Sequence, residues 1–138
     1  MTNSFSSLFS TTEFQPEAPE FCYDQSKKLA GSGNYEEALK SVKRALELQP
    51  DNHTVWIWQG GVLSHLDRYK EALASFEQAL KIQPSSQDAL LFQGIALHQL
   101  GNYKRAFASY KKVLGTEQQP IWQKLIQLLK GAPARSAS

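Results

Sequence analysis

Cysteine is nearly missing from this sequence. Cys22 is the only one, so no intrachain disulfide can form and a disulfide-stapled secreted fold is excluded. No run of eighteen apolar residues occurs, so no transmembrane helix is expected. The first twenty residues have neither a basic start nor an apolar stretch, and so do not read as a secretory signal. The first base is Lys27, which also argues against an Arg-rich transit peptide, and the cytoplasm is the expected location. Glycine-rich phosphate loops, nucleophile elbows and paired catalytic carboxylates are missing too, so the chain is not expected to be an enzyme or to carry a cofactor. His53, His65 and His98 are the only histidines, with no thiol and few carboxylates around them, which argues against a metal site.

Charge of one sign is missing locally rather than overall. The net charge is +2, but residues 1–26 carry four acids and no base, whereas residues 89–138 carry seven bases and one acid. Such polarity can steer the two ends of a chain together, or neighbours head to tail, at a strength that salt reduces. Lys104, Arg105, Lys111 and Lys112 gather near the end, but with no aromatic interleaving they read as a solvated face rather than a nucleic-acid surface.

What the sequence does contain is a thirty-four-residue period. Gly60 returns as Gly94, and Tyr69 is flanked by Tyr35 and Tyr103. Ala72 is flanked by Ala38 and Ala106, Phe76 by Val42 and Tyr110, and Leu80 by Leu46 and Leu114; Pro84 is preceded by Pro50. Each period reads as two short helices around a tight turn, centred on residues 53–86.

The chain divides accordingly. Residues 1–18 are rich in Ser and Thr and read as a flexible arm, although Phe5, Leu8 and Phe9 stand at i, i+3, i+4 and would suit an apolar plug, with Phe14 beyond. A helical domain spans 19–130, with repeats at about 19–52, 53–86 and 87–118, and residues 131–138 read as a mobile tail. The first helix is expected over 20–31, with Cys22, Ser26 and Leu29 on one stripe. Asn34 and Glu37 have capping-box spacing and would start the second helix at Tyr35. Gly33, Asp67 and Gly101 supply turn backbone that tolerates positive φ. Mid-helix Ser26, Gly60 and Gly94 make sense where a paired helix approaches closely, while Trp56 and Phe76 fill space between units. Pro120 suits the first turn of a last helix, 120–130, whose Trp122, Leu125, Ile126 and Leu129 make one apolar stripe able to cap the stack.

The series Trp56, Gly60, Tyr69, Ala72, Phe76, Ala79, Pro84 resembles the signature of the tetratricopeptide repeat (TPR) family. The first unit departs from it, with Cys22 and Gln25 at the tryptophan and leucine places. The resemblance implies an all-α fold: a right-handed superhelix of three TPR helix-turn-helix repeats plus a C-terminal capping helix, the first helix of each pair lining a concave groove. It also implies a scaffold or adaptor that holds another protein rather than a catalyst.

On that geometry a second stripe of each first helix faces the groove. The first repeat offers Tyr23 and Lys27, and the second Ile57, Trp58, Gly61 and His65. The third offers Leu91, Phe92 and Ile95, with His98 alongside. A helix apolar nearly all round is normally covered on all sides, so these residues are expected to bind an apolar strand or helix of a partner, anchored by Trp58 and Phe92. The alternative is self-association, the groove and the arm contacting a second copy. One subclass of the family holds acidic C-termini of chaperones in a clamp of Lys, Asn and Arg. The matching places here hold Tyr23, Lys27, Trp58, Asp88 and Phe92, of which only Lys27 is basic, so binding of such tails is not expected.

Overall fold

A computed structural model describes residues 18–114. They form six helices: α1 (Pro19–Gly31), α2 (Tyr35–Leu48), α3 (His53–His65), α4 (Tyr69–Ile82), α5 (Gln87–Gln99) and α6 (Tyr103–Leu114), with no strand among the described residues. The arm, the expected capping helix at 120–130 and the tail lie outside them.

Three hairpins, α1/α2, α3/α4 and α5/α6, stack in chain order. Neighbouring hairpins meet through α2 against α3 and α4 against α5, and the first helices α3 and α5 also touch. The three hairpin turns repeat the same hydrogen bonds. The amides of Asn34, Arg68 and Asn102 donate to the carbonyls of Leu29, Leu63 and Leu97 at 2.8, 2.9 and 2.9 Å. The residue before each has positive φ: Gly33 at 84°, Asp67 at 58° and Gly101 at 81°. Asp67 Oδ1 accepts a hydrogen bond from the Tyr69 hydroxyl at 3.2 Å, a bond that raises the phenol's pKa.

This turn explains why the expected capping box at Asn34 and Glu37 does not form. The amide that Glu37 would have to satisfy is already bound to Leu29. Asn34 instead donates its side-chain N–H to the Ser32 hydroxyl at 3.5 Å, and Glu37 pairs with Lys40 at 3.3 Å. Helix α2 starts at Tyr35 all the same. Side-chain caps form at the connections between hairpins, where Asn52 Oδ1 accepts from the amides of Thr54 (3.1 Å) and Val55 (3.3 Å) and Ser86 Oγ accepts from Ala89 (3.2 Å), and also at the third hairpin turn, where Asn102 Oδ1 accepts from the Arg105 amide (3.3 Å).

Within each hairpin a small residue on the first helix faces a ring or a short branched chain on the second. The buried Phe76 ring lies over Gly60, where an added Cβ would sit 2.6 Å from Cζ and 2.7 Å from Cδ1. A Cβ on Gly94 would meet the Tyr110 ring at 2.7 Å from Cδ1, and burial against this site raises the Tyr110 pKa. The first hairpin departs at both positions together: Ser26 and Val42 are both fully buried. Phe76 thus fills space inside its own hairpin and also stacks on Phe92 of the next, with ring centroids 5.7 Å apart. Trp56 is only half-buried, and its indole donates to the Pro50 carbonyl at 2.8 Å.

A buried polar pair recurs beside these contacts. The Gln59 amide donates to Ser75 Oγ at 2.9 Å, and the Ser109 hydroxyl donates to Gln93 Oε1 at 2.9 Å. Replacing Ser75 by Ala orphans the buried Gln59 amide and is expected to cost about 1–3 kcal/mol in urea unfolding. The double change Gln59→Leu with Ser75→Ala removes both partners and is expected to recover most of it.

Candidate functional site

The first helices turn one face inward, and between α1 and α3 this face opens as a groove of about 490 Å³, within the range of small ligand sites. Helix α1 contributes Tyr23, Lys27, Ala30 and Gly31. Helix α3 contributes Thr54, Ile57, Trp58, Gly61, Val62 and His65, Phe92 of α5 closes one side, and Tyr35 at the start of α2 closes the other.

Trp58 is the fixed point of this surface. Its indole N–H donates to Ser26 Oγ at 2.8 Å, and the Ser26 hydroxyl in turn donates a hydrogen bond to the Ala38 carbonyl at 2.7 Å. The serine that stands where later hairpins carry glycine therefore does two things. It is fully buried inside the first hairpin, and it ties the groove's largest ring to the hairpin core. Tyr23 meets Trp58 edge-on at 6.3 Å and 74°. The Lys27 ammonium sits 4.4 Å above the Tyr23 ring and 3.4 Å from Asp24 Oδ1, so the groove's one ammonium is already partnered. At the far end His65 lies flat on Tyr35, with centroids 4.5 Å apart and planes 7° from parallel.

Seven of the expected site residues therefore converge: Tyr23, Lys27, Ile57, Trp58, Gly61, His65 and Phe92. Leu91 and Ile95 stand outside this groove, each 39% exposed, at the α5 places that repeat Ile57 and Gly61. They carry the apolar face onward to the third hairpin. His98 packs edge-on against Tyr103 at 5.0 Å, at the α5/α6 turn. Val62, Tyr35, Ala30 and Gly31 also line the groove, outside the expected set. The last three follow from the turn between α1 and α2, which brings the end of one helix and the start of the next to the groove's edge. Among the described residues no cluster of three or more metal-ligating side chains occurs, and no helix is long and apolar enough to cross a membrane. On the outer side, Arg105 pairs with Glu77 at 3.4 Å, while Lys104, Lys111 and Lys112 are exposed.

Stacked helical hairpins with an open inner face define a helical-repeat protein. The family model for the tetratricopeptide repeat matches residues 23–86 and 65–120, and the chain belongs to that family. No curated protein matches the sequence. Among solved structures, the chain is similar to the second TPR of Spaghetti (RPAP3) bound to the HSP90 peptide SRMEEVD, at 21% identity and TM-score 0.68, covering 71% of this chain and 91% of that one. The first TPR of the same protein, bound to the same peptide, gives 18% identity and TM-score 0.71, covering 89% and 98%. MamA gives 19% identity and TM-score 0.70, covering 82% of this chain and 66% of that one. All three share the helical-repeat superhelix.

Proposed function

We propose that this protein is a non-catalytic interaction module that takes an apolar strand or amphipathic helix of a partner protein into its inner groove. The observation that carries this reading is Trp58: a large ring, half-buried, held in one orientation by Ser26, with Tyr23, Ile57 and Phe92 around it. Rigid aromatic anchors of this kind supply contact area at low entropic cost and dominate interface energetics. The same surface has little to offer a carboxylate tail. Its ammonium is shared between Asp24 and the Tyr23 ring, and Asp88 occupies a place where the clamp would need a donor. The peptide SRMEEVD, held by both Spaghetti TPRs, is therefore not the ligand we assign here. We place the protein in the cytoplasm on its sequence alone.

Trp58→Ala is expected to weaken binding of an amphipathic Leu/Phe-rich test peptide by at least about 30-fold, the effect of losing an anchor worth about 2 kcal/mol. Helicity by circular dichroism should stay nearly unchanged, because Ser26 keeps its bond to Ala38. Undiminished peptide affinity would remove the groove as the binding site. A second reading, self-association, draws on the exposed Leu91 and Ile95, which extend the apolar face past the groove. Mass by light scattering over a concentration series separates the two, since a strict monomer leaves only partner binding.

A further inference from the structure

We propose that the groove seats one neutral aromatic ring of the partner on the bare backbone of Gly61, between Trp58 and His65. This rests on the groove reading above and names the side chain that the groove selects. Helix α3 carries two adjacent glycines in its interior, Gly60 and Gly61. Glycine is among the least favourable residues inside a helix, so each calls for a reason. Gly60 has one, because the Phe76 ring fills the space that a Cβ would need. Gly61 has no such reason within the hairpins. Its φ is not positive. Apart from its chain neighbours and its own helix backbone, nothing among the described residues lies within 4 Å of a Cβ built there. Gly61 lines the groove instead.

The hairpins themselves show what bare helix backbone takes. Phe76 lies over Gly60, and Tyr110 lies over Gly94. The hollow at Gly61 has the same kind of floor, and its ends are aromatic. Trp58 stands one turn before Gly61 and His65 one turn after it, on the same face of α3. Trp58 is tied to Ser26, and His65 is backed by the Tyr35 ring. The other two repeats do not offer this floor, since their matching positions hold Lys27 and Ile95. The seat is therefore a property of the second repeat.

Charge makes the ring a neutral one. An aromatic wall also attracts cations. Here Lys27 already lies 4.4 Å over the Tyr23 ring, so a second cation would meet a like charge. The same ammonium is 3.4 Å from Asp24 Oδ1, which leaves little for an incoming carboxylate. A phenylalanine of the partner meets neither obstacle. It would bury its ring on Gly61, Ile57 and Trp58, with the edge-to-face and offset contacts that aromatic pairs favour.

The test titrates the full chain with an amphipathic Leu-rich peptide carrying a single Phe, and with its Phe→Leu and Phe→Ala versions. The wild type is expected to bind the Phe peptide about tenfold more tightly than the Ala version, and severalfold more tightly than the Leu version. Gly61→Leu fills the seat. It should lose about tenfold in affinity for the Phe peptide and bind all three peptides alike. Gly61→Ala should raise the melting temperature by about 4 °C, because it removes a glycine from a helix interior without a clash. Gly60→Ala, one residue away, should lower it. Equal affinity of the wild type for the three peptides overturns the proposal, and so does a Gly61→Leu variant that keeps the Phe preference. A melting temperature lowered by Gly61→Ala also overturns it, by giving that glycine a packing reason. Trp58→Ala separates the two levels. If it loses affinity while Gly61→Leu does not, the seat fails and the groove stands. If neither loses affinity, or the wild type binds none of the peptides, both fall.

Discussion

Gly60→Ser should destabilise the protein by about 3 kcal/mol, although serine is the residue the first hairpin carries at the same place. A Cβ at position 60 falls inside contact distance of three atoms of the Phe76 ring, and that ring is 1% exposed, with Phe92 stacked beyond it. It cannot swing away without opening the core. The first hairpin tolerates Ser26 because its opposing residue is Val42, which leaves the volume that Phe76 fills. Phe76→Val alone should also destabilise, by about 2 kcal/mol, through the space it vacates. Combining Gly60→Ser with Phe76→Val transplants the first hairpin's pair into the second. The double variant should be more stable than the sum of the single losses by at least about 1 kcal/mol. Urea unfolding of the four proteins measures this coupling; strict additivity would mean that positions 60 and 76 are not packed as described.

Deletion of residues 119–138 is the second large effect we expect. Among the described residues no further hairpin follows α6 to cover the end of the stack. We propose that residues 120–130 cover this end as a capping helix through Trp122, Leu125, Ile126 and Leu129. Burying a large apolar side chain contributes about 1.5–3 kcal/mol. Four of them amount to about 6 kcal/mol or more, which is comparable to the whole stability of a small domain. The truncated chain should therefore unfold at a much lower temperature and with reduced cooperativity. A melting temperature within a few degrees of the full chain would show that these residues do not cap the stack.

The three turns were legible because Gly33, Asp67 and Gly101 recur at a fixed interval and each takes positive φ. The close contacts at Gly60 and Gly94 were legible because glycine inside a helix is costly without a reason. Trp58 and Phe92 followed from the same period, as the second stripe of helices that are apolar nearly all round. The contacts that fix the groove did not. Trp58 bonds to Ser26 across thirty-two positions, and His65 stacks on Tyr35 of the preceding hairpin. Both cross from one repeat to another, so no within-repeat pattern announces them. The capping box failed for a local reason, since spacing cannot show that the turn already uses the Asn34 amide.

We propose that this groove binds apolar side chains rather than carboxylates. The most direct measurement follows the indole signal of Trp58 in the full chain by NMR during two titrations, one with the amphipathic Leu/Phe peptide and one with SRMEEVD. We predict saturable movement of Trp58 with the first and none with the second. Movement with SRMEEVD, or a response to the apolar peptide confined to the outer helices α2, α4 and α6, would contradict the account.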